Sequence, residues 1–335
     1  MFNRSAAAVV VAAIMLFAAG ARAEERLIFG STNPPPVPVN PKFFDPWAKR
    51  VNEQGKGILF IDVRHDPAIA NFTNYLDRTL NDVVQISWGI QSLLGPRFAK
   101  SAVIALPLIA DNATQPSVAY WRLYKTGMLN SEYTDIVPLM LFSFAHSGLH
   151  TGKPPRSPDD IHGMKIITGS RIVADVVSGL GAAPLTIPLS EAYSALQRGT
   201  ADGIMTPWTA FQPFKLAEVT TYHVDTWMGA SPGAMFMARK RYDALPEAAR
   251  KVLDANSGEA ESKAFGAFWD SEQTLGLSMV SAIPGQTIVK LTPQQEATWK
   301  RHADAAAAAW AKSVPDGEAL ITTFRGLLAK VKTGG

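Results

Sequence analysis

The chain has 335 residues, 32 Lys and Arg against 29 Asp and Glu for a net charge of +3, and no cysteine. That length allows two domains with sizeable cores, and without cysteine those cores cannot lean on disulfides. The charges are scattered, with no basic run or basic-aromatic face, which excludes nucleic-acid binding as the reading of this surface.

Arg4, the apolar run 6–20 and the small-x-small triplet Ala21-Arg22-Ala23 read as an export signal over residues 1–23, with a mature chain from near Glu24. The apolar run is too short and alanine-rich for a membrane span, and no later stretch approaches that length, so a soluble periplasmic protein is expected. Residues 27–31 form a first strand, and the proline-rich 33–41 is a loop at its carboxyl end. An amphipathic helix over 43–54, a strand over 58–63, a helix over 71–81 and a strand over 83–88 follow. Residues 120–126 lie in a further helix and 134–144 in a long apolar strand. The segments 147–151 and 155–163, rich in Pro, Ser, Gly and Asp, read as a linker where the chain crosses between domains.

Residues 163–215 alternate strand and helix with little ambiguity. A strand over 164–168 turns at Gly169-Ser170, where Ser170 is the N-cap of a helix over 171–180 that Gly181 stops. A strand over 184–188, a helix over 190–198 and a strand over 202–206 running into Pro207-Trp208 complete the unit. Such alternation makes a parallel sheet, whose ligands bind beyond the carboxyl ends of the strands. A second crossing falls near 222–232, and 235–238 returns as a strand of the first domain. A long helical stretch runs from 241 past Leu275, and helices over 292–310 and 317–331 close the chain.

The ordered phrases Gly163-Met164-Lys165-Ile166 to Ser170-Arg171, Gly179-Leu180-Gly181-Ala182, Glu191-Ala192-Tyr193 to Asp202-Gly203, Pro207-Trp208 and Phe214-Lys215 resemble the substrate-binding proteins of TRAP transporters, the DctP-type periplasmic receptors. Trp88-Gly89 to Gly95-Pro96-Arg97-Phe98, followed by Ala105-Leu106-Pro107-Leu108, has close relatives there too. The resemblance covers nearly the whole mature chain. It implies a two-domain α/β periplasmic binding protein with a ligand cleft between its lobes and a long helix spanning both. It also implies hinge closure over a small organic acid and delivery to the membrane subunits of a permease. The lobes would comprise 24–147 plus 234–270 and 148–233 plus 271–332. Two departures stand out: Asp82 and Gln85 replace a usual Gly and Asp, and Ile167 replaces the arginine that usually anchors the carboxylate.

Arg171 is the leading ligand candidate. At a helix start it joins free amides and the positive end of the macrodipole, and its fork suits a carboxylate. Ser170 shares that turn. Trp208 and Trp88 are candidate aromatic walls at strand ends of opposite domains, and Thr206 and Asn33 are candidate neutral hydrogen-bonders. His150 is a candidate for the cleft edge near the crossing. His146 and His150 lie four apart but without a helix or third ligand, so no metal or cofactor is expected. Gly229-Ala230-Ser231-Pro232-Gly233 satisfies the G-x-S-x-G pattern of hydrolases, with His302 downstream, but the apolar run from Met235 reads as strand where the elbow needs a helix. A serine hydrolase using Ser231, and a receptor feeding a signalling protein, are the alternatives to a transport receptor.

Overall fold

The computed structural model describes residues 24–334, so the expected signal over 1–23 lies outside the described residues. β1 (Glu25–Gly30), β2 (Leu59–Arg64), β3 (Ile86–Ile90) and β4 (Ile136–Ser143) belong to a first sheet. β5 (Gly148–Thr151), β6 (Lys165–Ile167), β7 (Ala183–Leu185), β8 (Gly203–Thr206) and β9 (Tyr222–Val224) build a second. β10 (Pro232–Ala238) returns to the first, and β11 (Thr287–Val289) edges the second. The orders are β2-β1-β3-β10-β4 and β11-β9-β5-β8-β6-β7. β1 pairs with β2 and β3 in parallel, while β10 lies antiparallel between β3 and β4. The expected return of the chain to the first sheet is therefore its insertion as an inner strand.

Burial on both faces explains why β4 and β10 are almost continuously apolar. The first sheet is covered by α1 (Asp45–Gln54), entered through a π-helical turn at Asn40–Phe44, and by α2 (Thr114–Lys125). Phe29, Phe44, Trp47, Trp88, Phe142 and Phe265 form its aromatic core, with Phe142 and Phe265 edge to face at 4.3 Å between centroids.

In the second lobe, α3 (Arg171–Gly179) follows β6 and α4 (Leu189–Gln197) follows β7, giving the parallel β6–β7 and β6–β8 pairings. Ser170 caps α3 by accepting from the Val173 amide at 3.3 Å, and Ile172, Val173, Val176 and Val177 form its buried stripe. Gly181 takes the left-handed φ of +79° beside the His162 ring, which a Cβ would strike.

α5 (Glu259–Ser281) joins the two lobes. Its Phe265 lies in the first-lobe core and its Val280 in a second-lobe cluster with Ile167, Ile204 and Trp208. Midway, the Asp270 carboxylate accepts from the amides of Ala113 and Thr114 at 2.5 and 3.1 Å, capping α2. α6 (Pro293–Ser313) opens with a capping box between Thr292 and Gln295 and lies along α3. α7 (Gly317–Lys332) packs on α2, so the last helix of the segment assigned to the second lobe lies against the first.

One reading is corrected outright. Residues 148–151, read as linker, are the inner strand β5, antiparallel to both β8 and β9. The expected helix over 71–81 is regular only over Tyr75–Leu80.

At Gly276 a Cβ would sit 2.6 Å from the Trp208 carbonyl oxygen, so α5 approaches the second lobe only because this residue has no side chain. Gly276→Ala should lower the unfolding free energy by about 1–3 kcal/mol. Gly326→Ala, in α7 with nothing near its Cβ position, should raise it by about 0.5–1 kcal/mol, both read from denaturant midpoints.

Candidate ligand cleft between the lobes

The two crossings lie side by side. The Phe144 amide donates to the Ser231 carbonyl at 3.0 Å, the Ser147 amide to Gly229 at 2.9 Å and the Met228 amide to Ser147 at 2.9 Å. Gly229, at φ +89°, lies against the Ala105 carbonyl, where a Cβ would collide. The crossing thus sits at 144–147, overlapping the segment read as linker only at Ser147.

Above this floor is a cavity of about 610 Å³. The first lobe supplies Leu93, Pro96, Phe98, Ala99 and Ala102 along one wall. The second lobe faces it with Gly169, Ser170, Arg171, Val173, Asp175 and Met205. Ser147, Gly229 and Ser231 line the floor, and Trp310 and Val314, at the end of α6, close one side. The cavity is mostly apolar with a few hydroxyls, and among the described residues Arg171 and Asp175 are the only charged ones lining it. Its volume suits a small organic molecule.

Arg171 and Ser170 therefore lie where the sequence put them, at the mouth of α3 and facing the other lobe. The Arg171 side chain is 89% exposed and its Nε lies 3.3 Å from Asp175 Oδ1, one helical turn on. A guanidinium at a helix start beside free amides can take a carboxylate.

The other candidates do not line this cavity. Trp208 is 1% exposed; its indole N–H donates to Asp225 at 3.1 Å, and its ring packs on His150 and Phe211. A carboxylate seventeen residues away satisfies the indole inside the lobe, so the ring is drawn under the turn. Thr206 is buried beside it, its carbonyl 3.0 Å from His150 Nε2. His150 is fully buried, with Nδ1 2.9 Å from His223 Nδ1. Both its ring nitrogens are thus engaged, leaving none to a cleft edge. Trp88, 1% exposed, stands inside the first-lobe aromatic core against Phe44, Phe72 and Phe144. Asn33 sits in the proline loop, where its carbonyl accepts from the Asn40 side chain. Ile167, 3% exposed, belongs to the apolar cluster under the second sheet.

Sequence reasoning missed Leu93, Phe98, Trp310 and Asp175. Only Asp175 had a signal, its i+4 spacing from Arg171. Ser231 does line the floor, but the chain continues from it straight into β10, so the strained strand–turn–helix elbow of a hydrolase is absent at this position. His302 packs instead on Gly179 of α3.

The buried histidines carry a pH consequence. Burial pushes His150 from its ordinary 6.5 to about 3, helped by neighbouring His223, and the Thr206 carbonyl and Asp225 oppose it only in part. Burial also lowers His223, against the pull of Gln286. Asp225 moves down mainly through His146, whose Nε2 lies 3.8 Å away. Histidines depressed by folding bind more protons when unfolded, so their stability contribution is complete above pH 6.5 and is lost as pH falls toward the folded values. The thermal midpoint should fall between pH 7 and 5, at most about 1.4 kcal/mol per pH unit for each histidine. His150→Gln should flatten that slope in pH-resolved calorimetry.

Residues 29–313 match the family model described as bacterial extracellular solute-binding protein, family 7 (DctP). The C4-dicarboxylate-binding periplasmic protein of Rhodobacter capsulatus is 26% identical over 237 residues, 68% of this chain and 70% of that one. Among solved structures, a TRAP solute-binding protein from an unidentified marine microbe, specific for aromatic acids and complexed with metahydroxyphenylacetate, is 28% identical. It superposes with a TM-score of 0.81 over 92% of this chain and 99% of its own. A TRAP solute-binding protein of Rhodoferax ferrireducens with copurified benzoate is 27% identical, with a TM-score of 0.81 over the same shares.

Proposed function

We propose that this chain, which belongs to the DctP family of bacterial extracellular solute-binding proteins, captures a small organic acid with an apolar body and delivers it to the membrane subunits of a TRAP permease. The observation that carries the ligand class is the cavity between the lobes. One guanidinium at the start of α3 faces an apolar wall contributed by the other lobe, over a floor made of the crossings themselves. The carboxylate would take the Arg171 fork and the amides beside it, and the ring or chain would lie along Leu93 and Phe98.

Capture follows from where those groups sit. A ligand touching both lobes gains contacts only when they approach, so it favours the closed form by its differential affinity for it. Closure also removes water from around Arg171, which strengthens its attraction for a carboxylate. Solved relatives that hold aromatic acids support the ligand class, and family membership supports the permease, the periplasmic location and a transport role in place of turnover.

A thermal-shift series with benzoate, 3-hydroxybenzoate and neutral ring analogues tests this, because a ligand of the native state alone raises the midpoint. The acids should raise it and the neutral analogues should not. In calorimetric titration Arg171→Ala should weaken benzoate by about tenfold or more, the scale of a hydrogen bond to a charged group. Undiminished affinity would remove Arg171 as the anchor.

A further inference from the structure

Resting on the receptor reading, we infer that Asp175 makes the cleft selective for monocarboxylates by leaving no place for a second negative charge. Asp175 follows Arg171 by one turn of α3, so both side chains project from one helix face into the same cavity. Their separation of 3.3 Å gives the lining a net charge of zero before any ligand enters. A single carboxylate replaces Asp175 at the guanidinium and leaves the cleft with one uncompensated negative charge, still 39% exposed to solvent.

A second carboxylate on the ligand meets one of two penalties. Placed toward the first lobe, it faces Leu93, Phe98 and Ala102, with the Ser92 hydroxyl as the one polar side chain and no cation on that wall among the described residues, so its charge is desolvated there without compensation. Placed along α3, it meets Asp175, and like charges held close disfavour each other. The nearest basic residues along the first-lobe wall cannot compensate, because Arg97 is held by Asp135 and Lys100 by Asp316. The selectivity thus comes from a residue that does not have to touch the ligand's anchored group at all. The α3 amides reinforce one anion at the helix mouth and lose their influence within the first turn.

The test compares isophthalate with 3-carbamoylbenzoate, which has the same shape with one charge fewer. Calorimetric titrations of the full protein give the ratio of the two dissociation constants. In the wild type, isophthalate should bind at least about thirtyfold more weakly, the scale expected from a repulsive or unpaired charge. Asp175→Asn should shrink that ratio about tenfold, and Asp175→Glu, which keeps the charge, should retain it. Circular dichroism of each variant confirms that the fold is intact. An unchanged ratio in Asp175→Asn, with 3-carbamoylbenzoate still bound, overturns the inference and leaves the receptor reading standing. Failure of the wild type to bind either compound or benzoate overturns the proposed ligand class and this inference together.

Discussion

The pairing of residues 144–147 with 228–231 is the constraint from which the rest of the architecture follows. Three backbone hydrogen bonds hold these segments side by side, and Gly229 lets the second press against the Ala105 carbonyl. Because β4 and β5 lie at either end of one crossing and β9 and β10 at either end of the other, the two sheets are tied at one edge and free at the opposite one. A gap bounded by two lobes and floored by a pair of extended strands can open and close with little change inside either lobe, since a few backbone torsions absorb the rotation. α5 limits that motion from behind by burying Phe265 in one lobe and Val280 in the other.

The chemistry of the cleft follows from what each lobe turns toward the gap. The first lobe keeps most of its aromatic rings inside, around Trp88 and Phe265, and offers Phe98 with small and aliphatic side chains to the cavity. The second lobe withdraws His150, His223 and Trp208 into a hydrogen-bonded cluster behind Thr206, ending on Asp225 and Gln286. That cluster supports the sheet from which α3 springs. Ile167 is packed in an apolar cluster, and the positive charge at the cleft comes from Arg171, four residues later and at the lip. A lip charge is well solvated in the open form, so its attraction for an anion grows as the lobes approach.

Much of this was legible in the sequence where local physics decides. The strand–helix alternation over 163–206, the Ser170 cap and the stop at Gly181 are set by residues within a few positions of one another, and the structure has all three. The strand β5 was not legible, because Ser147-Gly148-Leu149-His150-Thr151 has a loop's composition and becomes a strand only through pairing with residues 203–206 and 222–224. Trp208 followed the same logic: position at a strand end suggested a wall, but Asp225 drew the indole inward. Of the cavity lining, Arg171 and Ser170 were found from helix-terminus chemistry. Leu93 and Trp310 carried no signal, since the tertiary fold alone brings them to the site, Leu93 on the first-lobe wall and Trp310 where α6 returns from the far end of the chain.

The claim that the lobes close over a small acid is tested most directly by small-angle scattering of the protein alone and at saturating benzoate, with 3-hydroxybenzoate as a second ligand. A measurable fall in the radius of gyration on adding either acid, absent with a neutral ring analogue, is the predicted result. An unchanged radius at a benzoate concentration shown by calorimetry to saturate the protein would contradict the account.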